Sequence, residues 1–217
     1  CERVVEIYGN DRVKGVVTDN KEIECDVVII SVGVMPQVQL AREAGIEIGS
    51  LRGITTDERM MTSAEDVYAC GDCVESRDVL TGENTLNLLW HNARQQGRVV
   101  ASNCLGIPTT YPGSLAITTV DVFGTHAASV GSTATGLGNT CNLEIIEKIH
   151  GDNYLRSIIS DGRVVGAQAI GKTDDTGLLL NMIRKKTDLE TFDRVINSRG
   201  LLSIVPWYNR ISLCLRR

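Results

Sequence analysis

A chain of 217 residues, 42% apolar and 23% charged, is long enough to bury one or two cores and too apolar to be disordered. Its formal charge of −5 gives no electrostatic ground for nucleic acid or an anionic membrane surface, and no apolar run approaches transmembrane length. Seven cysteines, an odd number in a chain too long for a disulfide scaffold, point to reduced thiols and a cytoplasmic protein.

The chain opens in a β-rich segment. VVEIY (4–8) and RVKGVVT (12–18) flank Gly9-Asn10-Asp11, a hairpin signal. After the turn at Asp19-Asn20, alternation gives way to a continuous apolar run over 27–32, the pattern of a strand buried on both faces. Residues 4–32 therefore read as a three-stranded meander feeding a central sheet. VQLAREAG, beyond Pro36, is a short helix ending at Gly45. Short strands are expected around 54–56 and 67–70. From Leu86 to Cys104 the period becomes helical, with Leu86, Trp90, Ala93, Gly97, Val100 and Cys104 on the packing face.

LGIPTTYPGS (105–114) holds two prolines and two glycines and marks a domain boundary. Five strand patterns follow, over 114–124, 126–132, 142–151, 153–160 and 163–171. Turns at Gly151-Asp152 and Asp161-Gly162 make them an antiparallel sheet. TDDTGLLLNMIRKKTD is an amphipathic helix with Leu179, Met182, Ile183 and Lys186 on one face and Thr173 or Asp174 as cap. Its basic end, Arg184-Lys185-Lys186, reads as a solvated helix terminus. A short helix around 188–195 and an irregular tail containing Trp207 complete the chain.

Cys70-Gly71-Asp72-Cys73 has the spacing of a dithiol centre or half a zinc site. A reactive dithiol places its first thiolate at a helix N-terminus, where the dipole lowers its pKa. Here Cys70 ends the expected strand VYAC, and VESRDVLTGEN after Cys73 lacks helical periodicity. No second C-x-x-C or His pair completes a zinc spacing, so no metal site is expected. The alternative puts the chemistry between the thiols: glycine permits close approach, and the Asp72 carboxylate accepts hydrogen bonds from sugar-like hydroxyls at a sheet's carboxyl end. The pair also makes an ordinary turn.

The surroundings of that pair resemble a known family. MTSAEDVYACGDCVE is similar to the second flavin-binding signature of the pyridine nucleotide-disulfide oxidoreductases, matched at Thr62, Ser63, Tyr68, Ala69, Gly71 and Asp72. ECDVVIISVGVMPQVQLAREAG resembles an upstream family segment at Asp26, Gly33, Pro36 and Gly45. LWHNARQQGRVVASNCLG resembles the flavin-facing helix: Trp90, Asn92, Ala93, Gln96 and Gly97 are like the ferredoxin reductase branch, and Asn103 and Gly106 like the NADH oxidase and nitrite reductase-like branches. The resemblance implies that Gly71 and Asp72 meet the ribityl chain of FAD. It also implies that the helix amides near Leu89, Trp90 and His91 face the pyrimidine edge of the flavin, where a helix N-terminus stabilises negative charge. Without it, Trp90 reads as a core or interface anchor, His91 as a packing histidine, and His126 and His150 as turn residues. No catalytic residue is assigned.

No G-x-G-x-x-G pyrophosphate cradle occurs, and GLGNTC (136–141) reads as a loop. The expected fold class is α/β. It comprises a truncated FAD/NAD(P)-binding, glutathione reductase-like portion followed by an α+β antiparallel-sheet dimerisation domain. The expected layout is the end of an NAD(P)-binding domain (1–35), the C-terminal part of an FAD domain (36–106), a linker (107–113) and an interface domain (114–217). From Ser114 to Gly171 the chain resembles the last domain of NADH oxidase and coenzyme A-disulfide reductase relatives; VPWYNR stands where the oxidases carry Y-x-P-P. The expected parent is an FAD-dependent NAD(P)H oxidoreductase that forms a homodimer and requires a further N-terminal FAD/NAD portion, so that this stretch is inactive alone. Two alternatives are a cofactor-free self-association module and a C-x-x-C thiol redox protein.

Overall fold

The computed structural model describes residues 2–137, 142–174, 176–198 and 209–213. It divides into two compact units, Cys1–Met35 and Pro36–Arg217.

In the first unit, β1 (Val4–Gly9), β2 (Val13–Thr18) and β3 (Glu22–Glu24) form an antiparallel meander. Gly9 adopts φ +149°, and a Cβ there would lie 2.0 Å from the Arg12 carbonyl oxygen, so the hairpin requires glycine. The apolar run at 27–32 corrects the sequence expectation. It forms no strand, and Ile29 is 87% and Val32 88% exposed. A strand buried on both faces exists only where neighbours complete its ladder. Within this unit the meander ends at β3.

The second unit starts with α1 (Gln39–Glu43), closed at Gly45 in the left-handed conformation. Strands β4 (Ile54–Thr55) and β5 (Val74–Arg77) pair in parallel, and β6 (Asn84–Thr85) joins β5 antiparallel. The expected strand at 67–70 is absent: Tyr68 makes one isolated bridge to Met61. The strand instead follows the Cys-Gly-Asp-Cys turn, as β5. Helix α2 (Trp90–Cys104) comes next.

Beyond the 105–114 segment, β7 (Ile117–Val122), β8 (Thr125–Gly131), β9 (Leu143–His150), β10 (Asn153–Ser160) and β11 (Arg163–Ile170) appear where the sequence pattern places them. With β12 (Asn209–Leu213) they form a six-stranded antiparallel sheet in the order β12-β9-β10-β11-β8-β7. Two-residue loops set the register: His150 faces Asn153 across Gly151-Asp152, and Ser160 faces Arg163 across Asp161-Gly162. Positive φ at Gly151, Asp161 and Gly162 matches the twist that such tight hairpins need. Helices α3 (Thr176–Arg184) and α4 (Leu189–Ser198) cover one face. Leu179, Met182, Ile183, Phe192 and Ile196 pack on Val130, Ile146, Leu155, Val164 and Ala167. Lys186, expected on the packing face, lies past the end of α3 and donates from Nζ to the Leu80 carbonyl. Trp207 and most of the 136–141 loop fall outside the described residues.

Candidate functional site

The Gly71-Asp72 turn sits against helix α2. Gly71 is left-handed at φ +85°, and a Cβ built on it would stand 3.8 Å from the Ala93 methyl. Its N–H donates to Gln96 Oε1 at 2.7 Å, which fixes the turn to the second turn of the helix. Asp72 is exposed, and among the described residues its carboxylate has no hydrogen-bond or ion-pair partner. The left-handed glycine therefore aims an unsatisfied acceptor outward from a rigid base.

The N-terminus of α2 offers the complementary groups. Leu89 is the N-cap in extended conformation and supplies no side-chain cap. Its own N–H is given to the Asn87 carbonyl at 2.8 Å, while Asn92 and Ala93 donate back to its carbonyl. The amides of Trp90 and His91 have no acceptor among the described residues, and the first turn carries no acidic side chain. Two donors at the positive end of a fifteen-residue helix make a ready anion or carbonyl site. Trp90 is 75% exposed, with the Arg94 guanidinium 5.4 Å from its ring centroid. It is therefore an open aromatic face and no core anchor in this chain. His91 is tied down: its Nε2 lies 2.8 Å from the Leu115 carbonyl oxygen. An oxygen that can only accept requires the proton on Nε2, so the ring is a positioned packing group.

The packing face of α2 differs from the sequence expectation. Its buried residues are Asn92, Gln96 and Val99. Relative to the Trp90, Ala93, Gly97 and Cys104 stripe, the buried stripe is turned by about 120° at 3.6 residues per turn. Asn92 and Gln96 go inward because their amides are satisfied there. Asn92 bonds Leu115 N–H and C=O and the Asn87 carbonyl, while Gln96 bonds Gly71 and Ser76. Composition assigns both types to the surface; the sequence signals were their regular spacing and the family resemblance, which includes both residues without saying which way they face. Gly97, expected in the core, has nothing within 4 Å of its Cβ position.

The thiols flanking the turn are packing groups. Cys70 and Cys73 lie half-buried against Met60, Val74 and Val99, and both are free. Cys73 Sγ–H donates to the Cys70 carbonyl at 3.4 Å. Burial pushes both thiols up from their ordinary 9.0, the reverse of what an attacking thiolate needs. The residues after Cys73 form a strand, so no helix dipole opposes that shift. No group of three or more His, Cys, Asp or Glu converges as a metal site among the described residues. His126 pairs with Asp121 at 2.8 Å on the exposed β7–β8 hairpin. No helix among the described residues is long and apolar enough to cross a membrane.

Residues 1–97 match the family model described as pyridine nucleotide-disulphide oxidoreductase. The chain is 39% identical over 134 residues to an NAD(P)H sulfur oxidoreductase (CoA-dependent) of Pyrococcus abyssi, covering 62% of this chain and 30% of that protein. The fold superimposes with TM-score 0.81 and 29% identity on an FAD-dependent pyridine nucleotide-disulphide oxidoreductase from Desulfovibrio vulgaris, over 92% of this chain and 52% of that one. A NAD-dependent persulfide reductase from A. fulgidus gives TM-score 0.79 at 29% identity, over 94% and 40%. This chain thus spans about half or less of the proteins it resembles.

Proposed function

Because this chain belongs to the pyridine nucleotide-disulphide oxidoreductase family, we propose that it serves as the C-terminal part of an FAD-dependent NAD(P)H oxidoreductase. Asp72 receives the ribityl hydroxyls, and Gly71 lets the polyol approach. The helix start at Leu89, Trp90 and His91 faces the flavin's pyrimidine edge, with the last two supplying the open amides. The observation that carries the reading is the match of polarity at one turn–helix junction. An unpartnered carboxylate meets hydroxyl donors, and unpartnered amides meet carbonyl acceptors. The exposed Trp90 ring and the uncovered Gly97 position leave room beside that junction. Bound flavin supplies the two-electron acceptor for hydride from a nicotinamide; this chain's residues bind it, orient it and bias its charge.

Two supports concern what else the protein requires. The apolar run 27–32 is exposed in its own unit, and exposed apolar surface of this kind marks a docking face. It is the place for the remaining FAD/NAD portion to dock. On the sheet face opposite α3 and α4, Ile149, Tyr154, Ile170, Ala127 and Val120 line up in register across five strands. Ile149 is 63% and Val120 50% exposed, and Phe123 stands fully out at the hairpin tip. This row is the proposed contact with a second copy of the chain in a homodimer.

The decisive experiment adds FAD and NADH to the chain alone and to the longer flavoprotein containing it, following the nicotinamide absorbance. Brisk FAD-dependent oxidation by the longer protein and little by the chain alone is the expected result. Brisk turnover by the chain alone contradicts the reading. Light scattering with and without FAD separates it from a cofactor-free self-association module, which stays dimeric but never takes up flavin.

A further inference from the structure

A chain of buried side-chain hydrogen bonds runs behind the Gly71-Asp72 turn, and the chemistry of its two ends gives it a direction. Gly71 N–H can only donate, and it meets Gln96 Oε1 at 2.7 Å. That assigns the Gln96 amide, whose Nε2 then donates to Ser76 Oγ at 3.4 Å. At the far end Asn92 Oδ1 accepts from Leu115 N–H, so the Tyr111 hydroxyl, 3.4 Å away, must donate to it. Tyr111 accepts in turn from Ser114 Oγ at 2.9 Å, and Ser114 accepts from Ser76 Oγ at 2.7 Å. Every hydroxyl therefore donates toward Asn92, and reversal is blocked at both ends. Burial raises the Tyr111 phenol above its ordinary 10.0, which keeps its proton in place as a donor.

The participants span the molecule's second unit. Gln96, Asn92, Ser76 and Ser114 are buried, with Ser114 fully so. Ser114 also holds β5 by backbone bonds, donating to the Arg77 carbonyl and accepting from Val79 N–H. Leu115, next in the chain, is part of the core under α3 and α4. A buried polar network in which each bond polarises the next is costly to break at any single link.

We infer that Gln96, Ser76, Ser114 and Tyr111 form a one-way hydrogen-bond relay that sets the Gly71-Asp72 turn from the base of the C-terminal sheet domain. Gln96 is then a positioning residue for the carboxylate at 72. The relay stands on this chain's own contacts; only its consequence for flavin rests on the function proposed above.

Amide hydrogen exchange at Gly71 in the isolated chain, followed by NMR, tests the relay without any cofactor. Gln96→Leu removes one net hydrogen bond and is expected to speed Gly71 exchange by about tenfold. Ser114→Ala, two links further on, is expected to speed it on the order of threefold, with the Val99 and Ile183 amides unchanged. Gln96→Glu keeps an acceptor for Gly71 but has no N–H for Ser76. It should protect Gly71 better than Gln96→Leu does, leave exchange faster than in the wild type to the extent seen for Ser114→Ala, and abolish any further effect of Ser114→Ala. An unchanged Gly71 rate in Ser114→Ala, or an equal effect of Ser114→Ala when combined with Gln96→Glu, overturns the relay. In the flavin-containing parent, Gln96→Leu should weaken FAD binding and shift the flavin absorption band. A parent that takes up no FAD refutes the functional reading and leaves the exchange result to judge the relay. A parent that binds FAD with affinity and spectrum untouched by Gln96→Leu refutes the positioning role.

Discussion

Residues 27–35 and strands β8–β11 are both rich in valine and isoleucine, yet Ile29 is 87% exposed and Ile158 completely buried. The contrast is one of partners. Ile158 sits on β10, paired on both sides by β9 and β11. The 27–35 segment forms no ladder of its own. Apolar content is a demand for burial that only neighbouring elements satisfy. The difference separates residues whose strand neighbours bury them from residues that stand exposed among the described contacts.

The largest test of that contrast is Ile158→Ala, expected to cost about 2–5 kcal/mol in urea unfolding by leaving a cavity in a closed core. Little change would show that the sheet core is loosely packed. Next comes Asp72→Ala. An exposed carboxylate with no partner contributes nothing to the fold, so the melting temperature should hold. FAD affinity in the longer flavoprotein proposed above should fall about 10- to 100-fold, the worth of charge-assisted hydrogen bonds. Wild-type affinity in that variant would remove Asp72 from the site.

The buried thiols give a pH test of intermediate size. Folding favours the neutral form of Cys70 and Cys73, so both carry pKa values above the ordinary 9.0. The stability linked to them is complete below that value, declines as pH rises from it toward the raised folded-state values, and is gone once those are passed. Alkylation followed by peptide mapping should find both slow at about pH 8 and accelerating above about pH 9. Fast labelling at neutral pH, or a reversible Cys70–Cys73 disulfide, would revive a dithiol centre. The smallest effect is expected from Ile29→Ser with Val32→Ser. Stability should move by less than about 0.5 kcal/mol. Any self-association through the exposed stripe, measured by sedimentation, should diminish.

Much of the six-stranded sheet is legible in the sequence. Two-residue Gly-Asp and Asp-Gly loops specify tight hairpins, and alternation on either side assigns faces, so β7–β11 and α3 fell where periodicity put them. The site was legible only in part. Gly71, Asp72, Trp90, Asn92 and Gln96 all belong to the matched motifs, but composition reads Asn92 and Gln96 as surface residues, so their place on the buried face of α2 was missed. The strand beside the turn was also displaced, from 67–70 to Val74–Arg77. In the 67–70 stretch only Tyr68 found a bridging partner, at Met61, while Val74 met β4.

By itself the sequence determined what is local: turn types, helix and strand periods, and the residues of a flavin-type signature. Tertiary structure decided what is relational. It settled which face of α2 is buried, whether an apolar run becomes a strand, and that the thiols at 70 and 73 pack against Met60, Val74 and Val99. The reason is that burial and hydrogen-bond satisfaction are properties of pairs. An amide in Gln96 is costly or stabilising depending on whether Gly71 and Ser76 stand opposite it, and no window of sequence contains both.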